Sequence, residues 1–183
     1  MGRDKALLVY DGEAQVRRVA RLLERLAPPT FVSVRSLQAS DPGYAGLRLL
    51  LDRDEGIGPL AGLLSAFHED PSCAWLAVAV DMPFLSESTL RFLLEHRDLA
   101  AFATAFRNPE IDRPEPVCTI YEPRILPVLL NARATGRYTL KLLQDVAVCL
   151  VEPRHPEELT NVNDPEEYRK AAGPSAAKPG GSP

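Results

Sequence analysis

A chain of 183 residues is the length of one domain with at most a short appendage, which excludes a second full catalytic domain. Apolar residues at 45% and charged residues at 25% are ordinary soluble proportions, so a sizeable core is available and disordered, collagen-like and fibrous readings fall away. Twenty-one Lys plus Arg against 25 Asp plus Glu leave a net charge of −4, the wrong sign for a nucleic-acid footprint.

Residues 13–26 place Val16, Val19, Ala20, Leu23 and Leu26 on one stripe, with Arg17, Arg18, Arg21, Glu24 and Arg25 around it. That is an amphipathic helix over a core, its arginine row read as a solvated face. Asp11-Gly12 supplies the turn before it and Pro28-Pro29 ends it. Strands are predicted at 31–34 and 46–51 and a helix at 59–67. Residues 74–80 are apolar on both faces, the pattern of an interior parallel strand covered by helices on each side. That stretch is also the longest strongly apolar run, far short of the ~18 residues that suggest a membrane span. A helix at 86–96 follows. The second half reads as strands at 100–106, 116–121 and 146–151, helices at 124–132 and 140–145, and a charged, Pro-containing loop at 108–115. Strand after helix after strand implies the α/β class, a doubly wound and mostly parallel sheet flanked by helices. One domain over residues 1–170 precedes a tail, 171–183, of Ala, Gly, Ser and Pro with one Lys, which cannot bury enough surface to order itself.

Cys73, Cys118 and Cys149 lack C-x-x-C spacing and read as small core hydrophobes in a reducing cytosol. His68, His96 and His155 are scattered and read as solvated or packed side chains. No apolar signal-peptide core follows the charged opening, so a cytoplasmic location is expected.

Three stretches carry chemistry. Gly56-Ile57-Gly58-Pro59-Leu60-Ala61-Gly62 opens a helix with Pro at its first position, leaving bare backbone that can receive an anion or a base edge. It matches neither G-x-G-x-x-G nor G-x-x-x-x-G-K-[ST], and two structural tasks compete with a ligand: Gly58 as helix cap and Gly62 as a close-packing site. Asp81-Met82-Pro83 ends the most apolar strand, where open α/β sheets bind ligands. A carboxylate there suits Mg²⁺, and Ser86 already offers a cap for the next helix, leaving Asp81 without a structural task. In Asn161-Val162-Asn163-Asp164-Pro165-Glu166-Glu167-Tyr168, a D-x-x-E cap and Pro165 start a helix. The two asparagines, two apart, either hold a polar ligand or make Asx turns. Lys5 is one of four lysines against 17 arginines, and a compact ammonium suits a single phosphate contact.

Together these residues resemble the molybdenum cofactor guanylyltransferase family. That family opens with a strand and a Gly-rich signature ending in Arg-Met-Gly-x-Asp-Lys-x-Leu-Leu, and this chain begins Met1-Gly2-Arg3-Asp4-Lys5-Ala6-Leu7-Leu8. Gly58-Pro59-Leu60-Ala61-Gly62, Asp81-Met82-Pro83-Phe84 and Asn161-Val162-Asn163-Asp164-Pro165-Glu166-Glu167 match in the family's order, so the likeness runs from Met1 to about Tyr168. The family's first strand and its Leu-Ala-Gly-Gly-type loop would precede Met1, a stretch of about ten to fifteen residues. A start assigned at an internal methionine is expected rather than real loss, because a lost central strand leaves neighbouring edges unpaired.

The resemblance implies a Rossmann-like nucleotidyltransferase that moves GMP from GTP to the terminal phosphate of molybdopterin cofactor and releases pyrophosphate, with Mg²⁺ as cofactor. It gives Lys5 and Asp81 the catalytic roles. Lys5 would meet the nucleotide phosphates, Asp81 would bind Mg²⁺ and the triphosphate, and Gly58 and Gly62 would border base and ribose. Asp52 looks like the family's acidic nucleotide contact, Asn161 and Asn163 would face the pterin, and Arg137 and Lys141 are extra anion contacts. Arg35 stands where the family often has an asparagine contact. The implied partners are GTP, molybdopterin cofactor and, transiently, molybdoenzymes or other cofactor-biosynthesis proteins, with no nucleic acid or membrane. The rivals are a nucleotidyltransferase using CTP or a sugar phosphate, and a degenerate nucleotide-binding module without turnover.

Overall fold

Asp11 and Gly12 both take positive φ, 51° and 84°, as two-residue hairpin turns require. In the computed structural model, which describes residues 4–108, 111–162 and 165–172, they join β1 (Val9–Tyr10) to β2 (Glu13–Ala14), with Val9 opposite Ala14 and Tyr10 opposite Glu13. The amphipathic helix therefore starts two residues later than its periodicity suggests, as α1 (Gln15–Leu26). The elements that follow are β3 (Val32–Val34), β4 (Leu49–Leu51), α2 (Pro59–Glu69), β5 (Trp75–Val78) and α3 (Glu87–Glu95). After them come β6 (Ala103–Asn108), β7 (Arg113–Tyr121), α4 (Leu126–Ala134), β8 (Val148–Val151) and α5 (Pro165–Ala172). The helix predicted at 140–145 is a 3₁₀ turn, Leu140–Asp145. α5 runs two residues into the predicted tail; residues 173–183 lie outside the described residues.

β3 and β4 form a parallel pair, Val32 opposite Leu49 and Val34 opposite Leu51. The other four strands make a mixed sheet in the order β5-β7-β6-β8, with β7 antiparallel to both neighbours and β6 parallel to β8. Two expectations are corrected here. The pattern of residues 74–80 predicts an interior parallel strand; β5 is shorter, ends the four-stranded sheet, pairs antiparallel with β7, and its four residues are each half-buried. Its apolar run has the anticipated cause all the same, because both faces are covered. Trp75 and Ala77 pack with α2 and α4 through Leu60, Phe67 and Leu129, and Leu76 and Val78 pack with α1 and α3 through Val19, Leu23, Leu90 and Leu93. Helices on both faces of a mixed sheet, with parallel pairing between β6 and β8 there and between β3 and β4 beside it, are the α/β architecture the element order implied.

The second correction is the loop at 108–115. β6 reaches Asn108 and β7 begins at Arg113, so strand pairing enters the predicted loop from both ends, with Arg107 opposite Pro114 and Asn108 opposite Arg113. The loop reading rests on its charges and on proline, Pro114 among them, which lacks the N–H a ladder needs. Proline is tolerated at bulges, however, and between Ala105↔Thr119 and Arg107↔Pro114 residues 115–118 oppose Phe106 alone. Side chains close the bulge: the Thr119 hydroxyl donates to Glu115 O at 2.5 Å and the Tyr121 hydroxyl to Pro116 O at 2.6 Å.

Of the cysteines, Cys118 is buried and Cys149 half-buried, but Cys73 is exposed in the turn before β5, its thiol 3.0 Å from Asp70 Oδ2, so the core reading fails for that one. The three histidines are exposed. The arginine row of α1 is less solvated than expected: Arg17 donates to Gly43 O and Ala45 O, Arg18 to Leu85 O, and Arg21 pairs with Glu13. Among the described residues no helix is long and apolar enough to cross a membrane.

Candidate nucleotide site

Pairing with β7 persists one residue past β5, where Ala79 N donates to Val117 O at 2.7 Å, and the chain then turns at Asp81. Fully buried Met82 and Leu85 anchor that turn, and Asp81 O accepts from Val162 N at 2.7 Å, which brings the Asn161–Val162 segment alongside. Ser86 caps α3 through a 3.2 Å bond from Thr89 N, as its position suggested. The Asp81 carboxylate is half-buried and meets no hydrogen-bond or ion-pair partner among the described residues. A partly desolvated carboxylate in that position suits a hard cation. No group of three or more metal-ligating side chains surrounds it among the described residues. A cation held there would take its other oxygens from substrate and water, the habit of Mg²⁺ rather than of a protein-caged metal.

At the start of α2, Gly58 is the N-cap at φ 62° and ψ −147°, a backbone that L side chains rarely adopt, with no atom within 4 Å of where a Cβ would stand. Pro59 is the first helical residue and the first turn carries no acidic side chain. One turn on, a Cβ on Gly62 would stand 2.6 Å from Ser33 Oγ and 3.9 Å from Asp52 Oδ1, so α2 lies directly against the β3–β4 pair. Asp52 continues β4 by donating its N–H to Val34 O at 2.9 Å, and its Oδ1 accepts from the Ser33 hydroxyl. The fold thus assembles Asp52 with Gly62, and packing accounts for the glycine there.

Lys5 is exposed on a single 3₁₀ turn, Lys5–Leu7. Ala6 packs with Val34, Tyr44 and Val80, and Leu8 with Phe84 and Val162. The residues after Lys5 therefore pack on residues that flank Asp81, bringing the two predicted catalytic residues to one end of the sheet. Asp4 caps the turn: its Oδ1 accepts from Ala6 N at 3.1 Å, and its Oδ2 from Gln38 Nε2 at 2.6 Å and the Tyr44 hydroxyl at 2.8 Å. Partial burial pushes the Asp4 carboxyl up, but these bonds outweigh it and hold the group below the ordinary carboxylate range. A depressed carboxylate contributes stability above its unfolded pKa, near ~3.9, and loses it as pH falls through the folded value. Urea unfolding of wild type and Asp4→Asn from pH 6 to pH 2 is therefore expected to show a stability gap that narrows on acidification; a gap constant across that range would contradict it.

Other predicted contacts are scattered or engaged. Asn161 is exposed beside Val162, and Asn163 lies outside the described residues. Arg35 donates its N–H and Nε to Gln38 Oε1 at 3.1 and 3.2 Å, and Arg137 pairs with Asp145 at 2.6 Å. Lys141 is exposed on the 3₁₀ turn whose Leu140 and Leu142 pack into the α2–α4 cluster. Two features escaped sequence reading. Glu115, 5% exposed on the β7 bulge, accepts from Asn108 Nδ2 at 2.9 Å and has no cationic partner among the described residues. It sits two residues along β7 from Val117, as Asp81 sits two residues beyond Ala79, so a second carboxylate lies at the same end of the sheet. The other is the Asp4–Tyr44 bond, which spans 40 residues and carries no local signal.

Comparison with known proteins agrees with the motif reading. Residues 1–152 match the profile of the MobA-like NTP transferase domain. The chain is 30% identical over 169 residues to the molybdenum cofactor guanylyltransferase of Pseudomonas putida KT2440, covering 90% of this chain and 86% of that protein. It is 31% identical over 180 residues to the same-named protein of Xanthomonas euvesicatoria, covering 93% and 86%. A molybdenum cofactor biosynthesis bifunctional protein of Synechocystis is 30% identical over 92% of this chain, which spans about half, 49%, of that longer relative. Among solved structures, molybdopterin-guanine dinucleotide biosynthesis protein A from Archaeoglobus fulgidus superposes with a TM-score of 0.74 over 93% of this chain and 89% of the other. At 20% identity that match carries the fold alone.

Proposed function

We propose that this chain, which belongs to the MobA-like NTP transferase domain family, transfers GMP from GTP to the terminal phosphate of molybdopterin cofactor and releases pyrophosphate. The observation that carries the reading is the half-buried Asp81 carboxylate at the end of β5, without a hydrogen-bond or ion-pair partner among the described residues, and with the Lys5 turn packed beside it. In the reaction a phosphate-monoester oxygen of the acceptor bonds to the α-phosphorus of GTP, and the bond from that phosphorus to the bridging oxygen of the β-phosphate breaks. The second pKa of such a monoester is near ~6, so the attacking oxygen is already mostly anionic at neutral pH and needs no histidine base. This agrees with motifs that contain no histidine.

The residues then have alignment and charge to manage. Lys5 places an ammonium against the triphosphate. Asp52, held by Ser33, accepts from a nucleotide N–H or hydroxyl, Gly58 leaves bare backbone beside base and ribose, and Gly62 borders them by letting α2 pack close against Ser33 and Asp52. Asn161 and Asn163 face the pterin with amide donors and acceptors. Asp81 would hold Mg²⁺, which when bound neutralises charge on the transferring and leaving phosphates. A cytoplasmic location and transient hand-over of product to molybdoenzymes or other cofactor-biosynthesis proteins complete the proposal.

Pyrophosphate release by the full-length protein, assayed with GTP, CTP, ATP and UTP against molybdopterin cofactor and against sugar 1-phosphates, tests it. GTP with molybdopterin cofactor is expected to give the highest turnover. Preference for CTP or a sugar phosphate would reassign the substrate, and binding of GTP without release from any pair would make the protein a non-catalytic nucleotide-binding module.

A further inference from the structure

A three-residue 3₁₀ turn has too few internal hydrogen bonds to hold its own geometry, yet Lys5 lies on one. A flexible ammonium contributes to phosphate alignment only if its backbone is fixed from outside. Four contacts supply that fixing, and their far ends, Gln38, Tyr44, Gly43 and Arg17, lie outside the motifs that suggested the function. The Asp4 carboxylate caps the turn with one oxygen and takes bonds from Tyr44 and Gln38 with the other. Tyr44, 2% exposed, packs in the cluster that holds Ala6 and Val80. Leu7 lies on the bare backbone of Gly43, where a Cβ would stand 2.5 Å from Leu7 Cδ2. Arg17 of α1 then pins the 3₁₀ turn Pro42–Tyr44 from behind by donating to Gly43 O at 3.1 Å and Ala45 O at 2.9 Å.

We infer that Asp4 and Tyr44 are positioning residues for Lys5: the Asp4–Tyr44 bond transmits the rigidity of α1 through the 42–45 segment to the turn that carries the phosphate-binding ammonium. The inference rests on the reading of Lys5 as a triphosphate contact given above. Neither residue touches substrate; both act through Lys5. The carboxylate suits this task better than a neutral cap, because its bonds from Tyr44 and Gln38 are charge-assisted and stiffer than neutral ones.

A double-mutant cycle on the full-length protein separates positioning from general support of the fold. Asp4→Asn and Tyr44→Phe are each made alone and combined with Lys5→Ala. The readouts are kcat/KM for GTP and, by calorimetry, the Kd for GTP and for inorganic tripolyphosphate. In the Lys5 background, Asp4→Asn is expected to lower kcat/KM by about 10²-fold and to weaken tripolyphosphate binding, with Tyr44→Phe acting in the same direction. In the Lys5→Ala background both effects should shrink to about 3-fold or less, since an absent ammonium cannot be misplaced.

Equal losses in the two backgrounds would overturn the inference and make Asp4 a structural cap only. A Lys5→Ala change without effect on tripolyphosphate affinity would overturn it at its premise. If wild type releases no pyrophosphate from any nucleotide, the proposed function fails, and the tripolyphosphate cycle still decides whether Asp4 and Tyr44 act through Lys5. Should Asp4→Asn lose its circular dichroism, Tyr44→Phe, which keeps the charged cap, carries the cycle.

Discussion

Asp81→Ala is expected to lower metal-dependent pyrophosphate release by at least about 10³-fold while leaving the fold intact, because on the proposed reading the lost group anchors a charge stabiliser, and no hydrogen bond or ion pair among the described residues depends on it. The second half of that expectation comes from the structure. Asp81 offers its main-chain oxygen to Val162, which alanine also does, and its carboxylate makes no hydrogen bond or ion pair among the described residues. Removing an unpaired, half-buried carboxylate relieves desolvation rather than breaking a bond, so thermal stability should be unchanged or slightly higher. Steady-state assays across a Mg²⁺ titration, with a melting curve for each variant, check both parts. Asp81→Asn should fall almost as far as alanine, since an amide cannot supply the charge. Near-normal turnover by Asp81→Ala would remove Asp81 from the site, whatever the fate of the family assignment.

A second large effect is expected far from the chemistry. Replacing Gln15 by leucine should stabilise the protein by about 1–3 kcal/mol, the range associated with burying an unsatisfied polar group. Gln15 is the first residue of α1 and is 0% exposed, with neither side-chain Oε1 nor Nε2 meeting a hydrogen-bond partner among the described residues. Its main-chain N–H is satisfied by Leu8 O at 2.9 Å, so a side-chain change leaves the helix start alone. Position 15 stands four residues before Val19 and eight before Leu23, on the stripe that faces the core. Leucine is comparable to glutamine in volume, though one atom shorter and branched, and should fit the same space with slight repacking. Urea unfolding of both proteins measures the difference, and an unchanged or lower midpoint for Gln15→Leu would show that the amide is satisfied after all.

Readings that rested on turn and capping chemistry agree with the structure. The Asp11-Gly12 turn, the Ser86 cap, the Gly58-Pro59 helix start and the two-faced apolar run of β5 follow from backbone sterics, capping and coverage. These act over a few residues and leave their mark in composition and spacing. The four motifs are legible for the same reason: each is a short segment whose glycine, proline or carboxylate must stand at one place on a turn.

Long-range pairing decided the remainder. Nothing within residues 74–80 says that β5 will take β7 as an antiparallel neighbour and end its sheet; that depends on a segment some 40 residues away in the chain. The bulge that lets Pro114 and Pro116 sit in a strand, and that buries Glu115, exists because Thr119 and Tyr121 reach back to close it. Likewise the bond from Tyr44 to Asp4, the bare face of Gly62 against Ser33, and the orphaned amide of Gln15 are all products of packing between elements. Chemistry that one turn or strand end can carry was written in the order of the amino acids. Which side chains hold that chemistry in place was settled by contacts whose energy exists only once distant segments have met.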